Sequence, residues 1–351
     1  MKGLTNWAMD SLQTKRRIES MKGLMKIKHL SLASLIAIVL AVVTPSFVIA
    51  QAAGKDVTQG LDKKLKMVMI VHDISSPFSA FFKSGGEDAA KSHNIDFTFM
   101  GTSGIDMPKQ VSMFENAIQG GYNAITLTMM DNKAFGKGIE SAKAKGIAVL
   151  SFNMDGDWGQ RAAMGYSGAD EFTQGVAIGK YFFKEVMKGN GSYILLPAIA
   201  DLDVLILRMN GIKKAAEAYP NIKYITTVEI GTDLTKAYSN VENAYSAHPE
   251  ATALIGTDHF SESVGQVISK RGLKGKVFGA GFDITPGMMK YIKDGSIQTT
   301  MGQNPYLQGY YAVEQAWLYL AKGIPPLEIN TGSELVTPKN MGAYLKMFNM
   351  E

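Results

Sequence analysis

Several short apolar runs of the sequence are followed at once by polar side chains that can donate and accept hydrogen bonds. Asp73 and Ser76 follow the run Met67–Val71, and later runs end in the same way. The further side chains of this kind are Thr128, Asp131, Asn153, Asp155, Asp258 and Asp283. Such groups are suited to recognising hydroxyl groups, because a buried polar group without a partner is costly and so selects the ligand that supplies one.

The motifs of the common catalytic and nucleotide-binding sites are missing from the sequence. It contains no GxxxxGK[ST] phosphate loop, no GxSxG nucleophile elbow and no HExxH helix, and its five histidines are not spaced as metal pairs. Gly279-Ala280-Gly281 resembles the start of a dinucleotide-binding motif but lacks the third glycine. We therefore expect a binding protein rather than an enzyme, with no cofactor and no metal.

The hydrophobic pattern predicts the elements that position these polar side chains. From Lys66 onward, short apolar runs alternate with stretches of helical period, which is typical of parallel sheets covered by helices on both faces. The alternation forms two successive series, so we expect two lobes, each with its own sheet. Ligands of such sheets bind outside the carboxyl ends of the strands, where the polar side chains are found.

The N-terminal region has the layout of a secretory signal peptide. Lys22, Lys26 and Lys28 precede the apolar run Leu30–Val43, and small residues follow around Ala50–Ala52. An uncleaved membrane anchor is the alternative, but the apolar run is short for a bilayer span. Because the chain has no cysteine to carry a lipid, we expect cleavage and release of a soluble monomer into the periplasm.

The basic charge of the chain is confined to this N-terminal region. The whole chain carries a formal +4, and residues 1–53 hold seven basic and two acidic residues, so the remainder carries about −1. This remainder offers no electrostatic footprint for nucleic acid. The predicted site also has more carboxylates than arginines, which argues against a strongly anionic ligand.

Segments at the strand ends resemble the ribose-binding type of periplasmic solute-binding proteins. Val71–Phe78 is similar to the loop after the first strand of that family, and Gly279–Pro286 is similar to its GFDGTP segment. Thr299–Gln303 and Val336–Asn340 are similar to its later landmarks. The resemblance runs from about Lys66 to the C-terminus and implies the type I periplasmic binding protein fold, with two α/β lobes joined by a three-strand hinge.

The resemblance also implies boundaries for the lobes. After a signal region at 1–53, the N-terminal lobe should comprise residues 54–168 and 304–331, and the C-terminal lobe residues 169–303 and 332–351. The hinge crossings should fall at Ser167–Asp170, Gln303–Asn304 and Thr331–Ser333.

The function implied by the resemblance is capture of a small neutral sugar or polyol and its delivery to the membrane permease of an ABC importer. Phe78 matches an aromatic residue that packs on the sugar ring. Ser79 stands where ribose binders carry a second aromatic residue, for which Trp158 is the candidate replacement. The other expected contacts are Ser76, Thr128, Asn153, Met154, Arg208, Asp233, Asp258, Asp283 and Gln303, with Asp73 and Asp155 as further candidates.

One departure from the family pattern bears on the ligand. Asn153 and Met154 occupy the place of an Asp-Arg pair that holds hydroxyl groups through charge-assisted hydrogen bonds. Asn153 keeps hydrogen-bonding capacity, whereas Met154 supplies only bulk. This departure weakens the case for ribose as the ligand and leaves the identity of the sugar or polyol open.

Three other classes of protein are alternatives to the binding protein of an importer. A transcription regulator of the lactose-repressor type shares the fold, but it would begin with a helix-turn-helix where this chain has a signal-like region. A secreted α/β enzyme would need the nucleophile or metal motifs that are missing. A sensory binding protein, which presents its closed form to a receptor or kinase, remains the alternative, since the same closure serves either readout.

Overall fold

The computed structural model describes residues 64–155 and 161–350. The predicted signal peptide and Trp158 lie outside the described residues. The strands are β1 (Lys66–Val71), β2 (Asp96–Gly101), β3 (Ala124–Met129), β4 (Ala148–Asp155), β5 (Tyr166–Gly168), β6 (Asn190–Leu196), β7 (Asn221–Thr227), β8 (Ala253–Gly256), β9 (Phe278–Phe282), β10 (Thr299–Gly302), β11 (Glu328–Asn330) and β12 (Glu334–Val336).

Helices follow most of the strands. They are α1 (Ser79–Ser92), α2 (Met107–Gln119), α3 (Asn132–Ala144), α4 (Glu171–Tyr181, continued by a π-turn at Phe182–Val186), α5 (Asp203–Ala216), α6 (Leu234–Ala247), α7 (Glu262–Lys270), α8 (Pro286–Lys293), α9 (Pro305–Lys322) and α10 (Gly342–Met347), with a 3-10 turn at His259–Ser261. Within the ranges that the structure describes, no helix is both long and apolar enough to cross a membrane.

The strands form two six-stranded sheets of the same design. The first has the order β2-β1-β3-β4-β5-β11 and the second the order β7-β6-β8-β9-β10-β12. The pairings are parallel except that of β10 with β12, which is antiparallel. The predicted α/β class, with two parallel sheets flanked by helices, is confirmed.

The chain passes three times between the two halves built on these sheets. After β5 it enters α4, which packs on α5 beside the second sheet, and after β10 it returns to α9, which packs on α1 and β4. It then leaves β11 of the first sheet for β12 of the second. The exact lobe boundaries given above stay a prediction.

Each sheet holds two separate apolar clusters, one on each face. Along β1, Met67 and Met69 pack with α1 and α9, whereas Val68 and Ile70 pack with α2 and α3. Successive side chains of a strand point to opposite faces, so a strand buried on both sides is apolar throughout. This explains why the strands appear in the sequence as unbroken apolar runs.

In each half, glycines allow two helices on the same face of the sheet to touch: α1 and α9 in the first half, and α4 and α5 in the second. A Cβ at Gly211 of α5 would lie 2.2 Å from the carbonyl oxygen of Phe172 in α4 and 2.7 Å from the backbone nitrogen of Val176. Gly85 of α1 and Gly309 of α9 make the equivalent contact in the first half, again against backbone. The neighbouring atoms are main chain, so a side chain at these glycines must push the helices apart.

We expect Gly211→Ala to lower the free energy of unfolding by at least about 2 kcal/mol, the scale of an overpacked core. Gly136 of α3 is the matched control, because a Cβ there meets nothing within 4 Å. Gly136→Ala should therefore stabilise by about 0.5 kcal/mol through the lower entropy of the unfolded chain. Urea unfolding measures both, and equal effects of the two substitutions would contradict the close helix contact.

Candidate functional site

A cavity of about 630 Å³, including space open to solvent, lies between the two halves at the carboxyl ends of the strands. Its lining comes from both halves, and two parts of this lining have opposite polarity. One part, called the polar wall, consists of Asn153, Arg208, Asp258, Asp283 and Gln303.

Three members of the polar wall form a hydrogen-bonded chain. Asn153 Nδ2 donates to Gln303 Oε1 at 3.1 Å, and Gln303 Nε2 donates to Asp283 Oδ1 at 2.7 Å. Gln308 of α9 supports the chain, since its Oε1 accepts from Asn153 Nδ2 and its Nε2 donates to the carbonyl of Gln303. The chain joins the first half to the second and fixes which polar atoms face the cavity.

The backbone at two of these residues is unusual. Asn153 and Asp283 have φ values of 62° and 69°, in the left-handed region that most side chains avoid. Asn and Asp tolerate it best among the non-glycine residues. Strain of this kind clusters at functional sites, where the surrounding structure holds the residue in place.

Arg208 and Asp258 complete the polar wall from the second half. Arg208 Nη1 donates to the carbonyl of Thr257 at 2.9 Å, and its guanidinium lies 4.7 Å from the ring centre of Phe282. Its buried Nε has no partner among the described residues. Asp258 accepts from the backbone N–H groups of Ala198 and Phe260 at 2.8 Å each. Burial raises the pKa of Asp258, against the opposing effect of His259 and of these two hydrogen bonds.

Aromatic rings line the cavity from both halves. Phe78, which is 8% exposed, and His259 have ring planes only 6° apart and centres 6.5 Å apart. Phe82 fixes Phe78 from behind through an edge contact at 5.1 Å, and Phe260 packs on His259 at 4.0 Å. These rings offer flat apolar faces of the kind that pack on C–H groups.

The remaining part of the lining, called the apolar wall, is a hydrophobic cluster of its own. It contains residues of both halves: Met130, Met154, Ala198, Ile199, Leu202, Val204, Leu205 and Phe260. Apart from the weakly accepting thioethers of the two methionines, none of these side chains offers a hydrogen bond.

His72 lies at the edge of the cavity and is held by Thr128. The hydroxyl of Thr128 accepts from the backbone N–H of His72 at 3.0 Å and lies 3.1 Å from its Nδ1. Burial lowers the pKa of His72 from 6.5 to about 4, with nearby Asp73 opposing the shift and His259 adding to it. The imidazole is therefore neutral at neutral pH.

The depressed pKa of His72 should appear in the pH dependence of stability. The unfolded chain takes up this proton near pH 6.5 and the folded chain only near pH 4, so stability falls as pH falls between the two values. The contribution is about 2 kcal/mol between pH 7 and pH 4.5. We expect His72→Gln to shrink the acid destabilisation by this amount in urea unfolding. His248→Gln, at the surface, should keep the wild-type profile; identical profiles for all three would contradict the assignment.

The structure brings eight of the predicted contacts to the cavity. They are Ser76, Phe78, Asn153, Met154, Arg208, Asp258, Asp283 and Gln303. Ser76 lies at its edge, where its hydroxyl accepts from the backbone N–H of Phe78.

Other predicted contacts have structural partners and do not line the cavity. Ser79 is buried in α1 and donates to the carbonyl of Asp73, whose carboxylate accepts from the backbone of Gly104. Thr128 holds His72, as described above. Asp233 caps α6 by accepting from the N–H of Lys236. The geometry does not support these residues as direct contacts.

Asp155 also faces away from the cavity. It is fully buried, and its carboxylate accepts from the Ser151 hydroxyl at 2.6 Å and from the N–H groups of Ala162 and Ala163. Burial raises its pKa against these hydrogen bonds. Asp155 therefore ties β4 to the segment that leads into β5.

No group of three or more His, Asp or Glu side chains in residues 64–155 and 161–350 could hold a metal ion.

Sequence reasoning missed two kinds of lining residue. His72 and His259 are the polar kind, and both adjoin aspartates that the strand-end rule did select, so the same rule could have found them. The apolar kind consists mainly of the apolar wall, of which only Met154 was named. Val204 and Leu205 lie in the first turn of α5 beside the cavity, and in the sequence their side chains look like ordinary core residues.

Comparisons with known proteins agree with this architecture. The family model described as "Periplasmic binding protein domain" matches residues 67–324. The chain belongs to the periplasmic binding protein family. Proteins of this family are periplasmic or extracellular binding proteins, and the chain is a binding protein rather than an enzyme. The predicted resemblance to the ribose-binding type and the two-lobe type I fold are confirmed.

Individual relatives are more distant. The chain is 28% identical over 298 residues to the xylose/arabinose-binding protein XylF of Sulfolobus acidocaldarius, covering 80% of this chain and 73% of that protein. It is 24% identical to the ribose import binding protein RbsB of Bacillus subtilis, covering 75% and 84%. An ABC transporter solute-binding protein of Burkholderia graminis, solved with D-arabinose, has a TM-score of 0.75 at 26% identity, covering 80% and 98%.

Proposed function

We propose that the chain binds a small neutral sugar or polyol in the cavity between its two halves and hands it to the membrane permease of an ABC importer. The polar wall is the observation that carries this proposal: one cavity gathers two carboxylates, two amides and an arginine from both halves. Several donors and acceptors around a small space are what recognition of adjacent hydroxyl groups requires. The sugars in the names of XylF and of the Burkholderia complex support the same ligand class.

Binding is proposed to favour a closed arrangement of the halves. A ligand that touches Asn153 in the first half and Asp258 in the second makes all its contacts only when the halves are close. It therefore binds the closed state more tightly than the open state, and this difference in affinity increases the population of the closed state. Small-angle scattering with and without saturating ligand tests this. We expect a smaller radius of gyration with ligand and a mass that corresponds to a monomer; an unchanged radius would contradict hinge closure.

The ligand class is tested by thermal shift and calorimetry over pentoses, hexoses and polyols. A ligand at a hundred times its Kd stabilises the folded protein by about 2.7 kcal/mol, which is a readily measured shift in Tm. We expect at least one neutral sugar or polyol to bind, and Asp233→Asn to bind it like the wild type. If no neutral sugar or polyol gives a shift or a heat, the proposal is wrong.

Export and import need separate tests. The signal-peptide layout around Lys22 to Ala52 supports release into the periplasm, and mass spectrometry of the exported protein should find a new N-terminus between Gln51 and Gly54. An intact N-terminus in the membrane fraction would contradict release. Cells that lack the gene should lose uptake of the identified sugar; unchanged uptake would favour the sensory alternative.

A further inference from the structure

The two walls of the cavity make different demands on a ligand. The polar wall needs hydroxyl groups, because the buried Nε of Arg208 has no partner in the described structure and because the chain from Asn153 to Asp283 presents fixed polar atoms. The apolar wall offers methyl, methylene and ring surfaces from eight side chains. A hydroxyl group turned towards it would lose its water partners without gaining others.

The apolar wall is a built feature of the cavity and not an extension of either core. Its members form one cluster, of which only Phe260 also packs against a cluster of the second sheet, and every one of them lines the cavity. Met130 and Met154 come from the first half and the rest from the second, so the surface surrounds the ligand space from both sides. Met154, Val204 and Leu205 are only 6%, 6% and 3% exposed. A ligand in the cavity therefore meets the apolar and the polar walls together.

We propose that the ligand is a deoxy sugar, a monosaccharide in which a methyl group stands where the common sugars carry a hydroxymethyl group. This rests on the proposed sugar-binding function and deepens it. The ring hydroxyl groups contact the polar wall, and the methyl group lies against the apolar wall. Removing one hydroxyl group avoids an unpaired polar group, and the methyl group gains from burial, so the deoxy sugar should bind at least about tenfold more tightly than its parent.

Matched pairs of sugars test the proposal on the wild-type protein by calorimetry. The pairs are D-galactose and 6-deoxy-D-galactose, D-glucose and 6-deoxy-D-glucose, and L-mannose and L-rhamnose, in each of which both members form the same pyranose ring. We expect the deoxy member of at least one pair to bind about tenfold or more tightly than its parent. If the parents bind as tightly or more tightly in every pair, the deoxy-sugar proposal is wrong while the sugar-binding function stands. If none of these sugars binds, the deoxy-sugar proposal is wrong, and the wider screen of pentoses, hexoses and polyols decides whether the sugar-binding function stands.

A substitution in the apolar wall identifies the surface that sets the preference. Met154→Gln keeps the length of the side chain but adds an amide that can bind a hydroxyl group, so it should reduce the preference for the deoxy member to within about threefold. Leu327→Asn is the control, because Leu327 is 67% exposed and lies outside the cavity; it should leave the preference unchanged. If Met154→Gln fails to fold, Leu202→Asn, at a half-buried position of the same wall, replaces it. A full preference in a folded variant of the wall would contradict the proposal.

Discussion

Replacing Asp283 by asparagine should lower the affinity for the sugar at least about thirtyfold, or about 2 kcal/mol. The carboxylate Oδ1 accepts from Gln303 Nε2, and Gln303 Oε1 in turn accepts from Asn153. Asparagine removes the charge and replaces one of the two accepting oxygens by an amide nitrogen that can only donate, while its remaining oxygen can still accept from Gln303. Calorimetry with the sugar found in the screen measures the loss.

The design of this experiment follows from the backbone. Asp283 has a φ of 69°, which asparagine tolerates and alanine does not, so Asp283→Asn separates the loss of the carboxylate from backbone strain. Asp233→Asn is the matched control: Asp233 caps α6 outside the cavity, and asparagine is as good a cap. If Asp283→Asn binds as tightly as this control, Asp283 is not part of the site.

Replacing Arg208 by methionine should lower both stability and affinity. Its guanidinium donates to the carbonyl of Thr257, covers the ring of Phe282 and, by its charge, opposes the upward shift that burial imposes on the pKa of Glu171. Glu171 keeps Arg161 at 3.8 Å, but loss of the Arg208 cation weakens the compensation of its buried charge and removes the hydrogen bond to Thr257, so we expect a loss of about 2 kcal/mol of unfolding free energy. Affinity should fall at least tenfold in addition, because a ligand hydroxyl group loses its charged donor.

Urea unfolding and calorimetry separate these two effects for Arg208→Met. Arg271→Met is the control in the same half, since Arg271 is exposed, donates to the exposed Ser246 and lies over the ring of Tyr245. It should change stability by less than about 1 kcal/mol and leave affinity unchanged. If Arg208→Met loses stability but retains affinity, the arginine supports the fold without touching the ligand.

The fold was predictable because its signals are local and repeated. Each buried strand is a short apolar run, and each helix has its own period, so alternation alone indicates parallel sheets. Boundaries were less predictable. The edge strand β7, Asn221–Thr227, has mostly exposed or half-buried residues and no continuous apolar run, so the hydrophobic pattern does not define its ends. Short strands such as β11 and β12 gave no pattern at all.

The polar half of the site was predictable and the apolar half was not. Asp258 and Asp283 can be selected from the sequence because carboxylates directly after buried strands lie where ligands of parallel sheets bind. The same rule also selects Asp155, whose partners are backbone N–H groups that only the folded structure reveals. Leu202, Val204 and Leu205 resemble core residues in the sequence, and only the arrangement of the two halves shows that they face a cavity.

The separation of the apolar clusters has a consequence for cooperativity. Four clusters lie within one half each, and the apolar wall is the cluster that draws on both. Apolar coupling between the unfolding of one half and that of the other therefore depends largely on the side chains around the cavity. A molecule enclosed there acts as additional core shared by both halves. We therefore expect the halves to unfold in one thermal transition when a ligand fills the cavity, and more independently when it is empty.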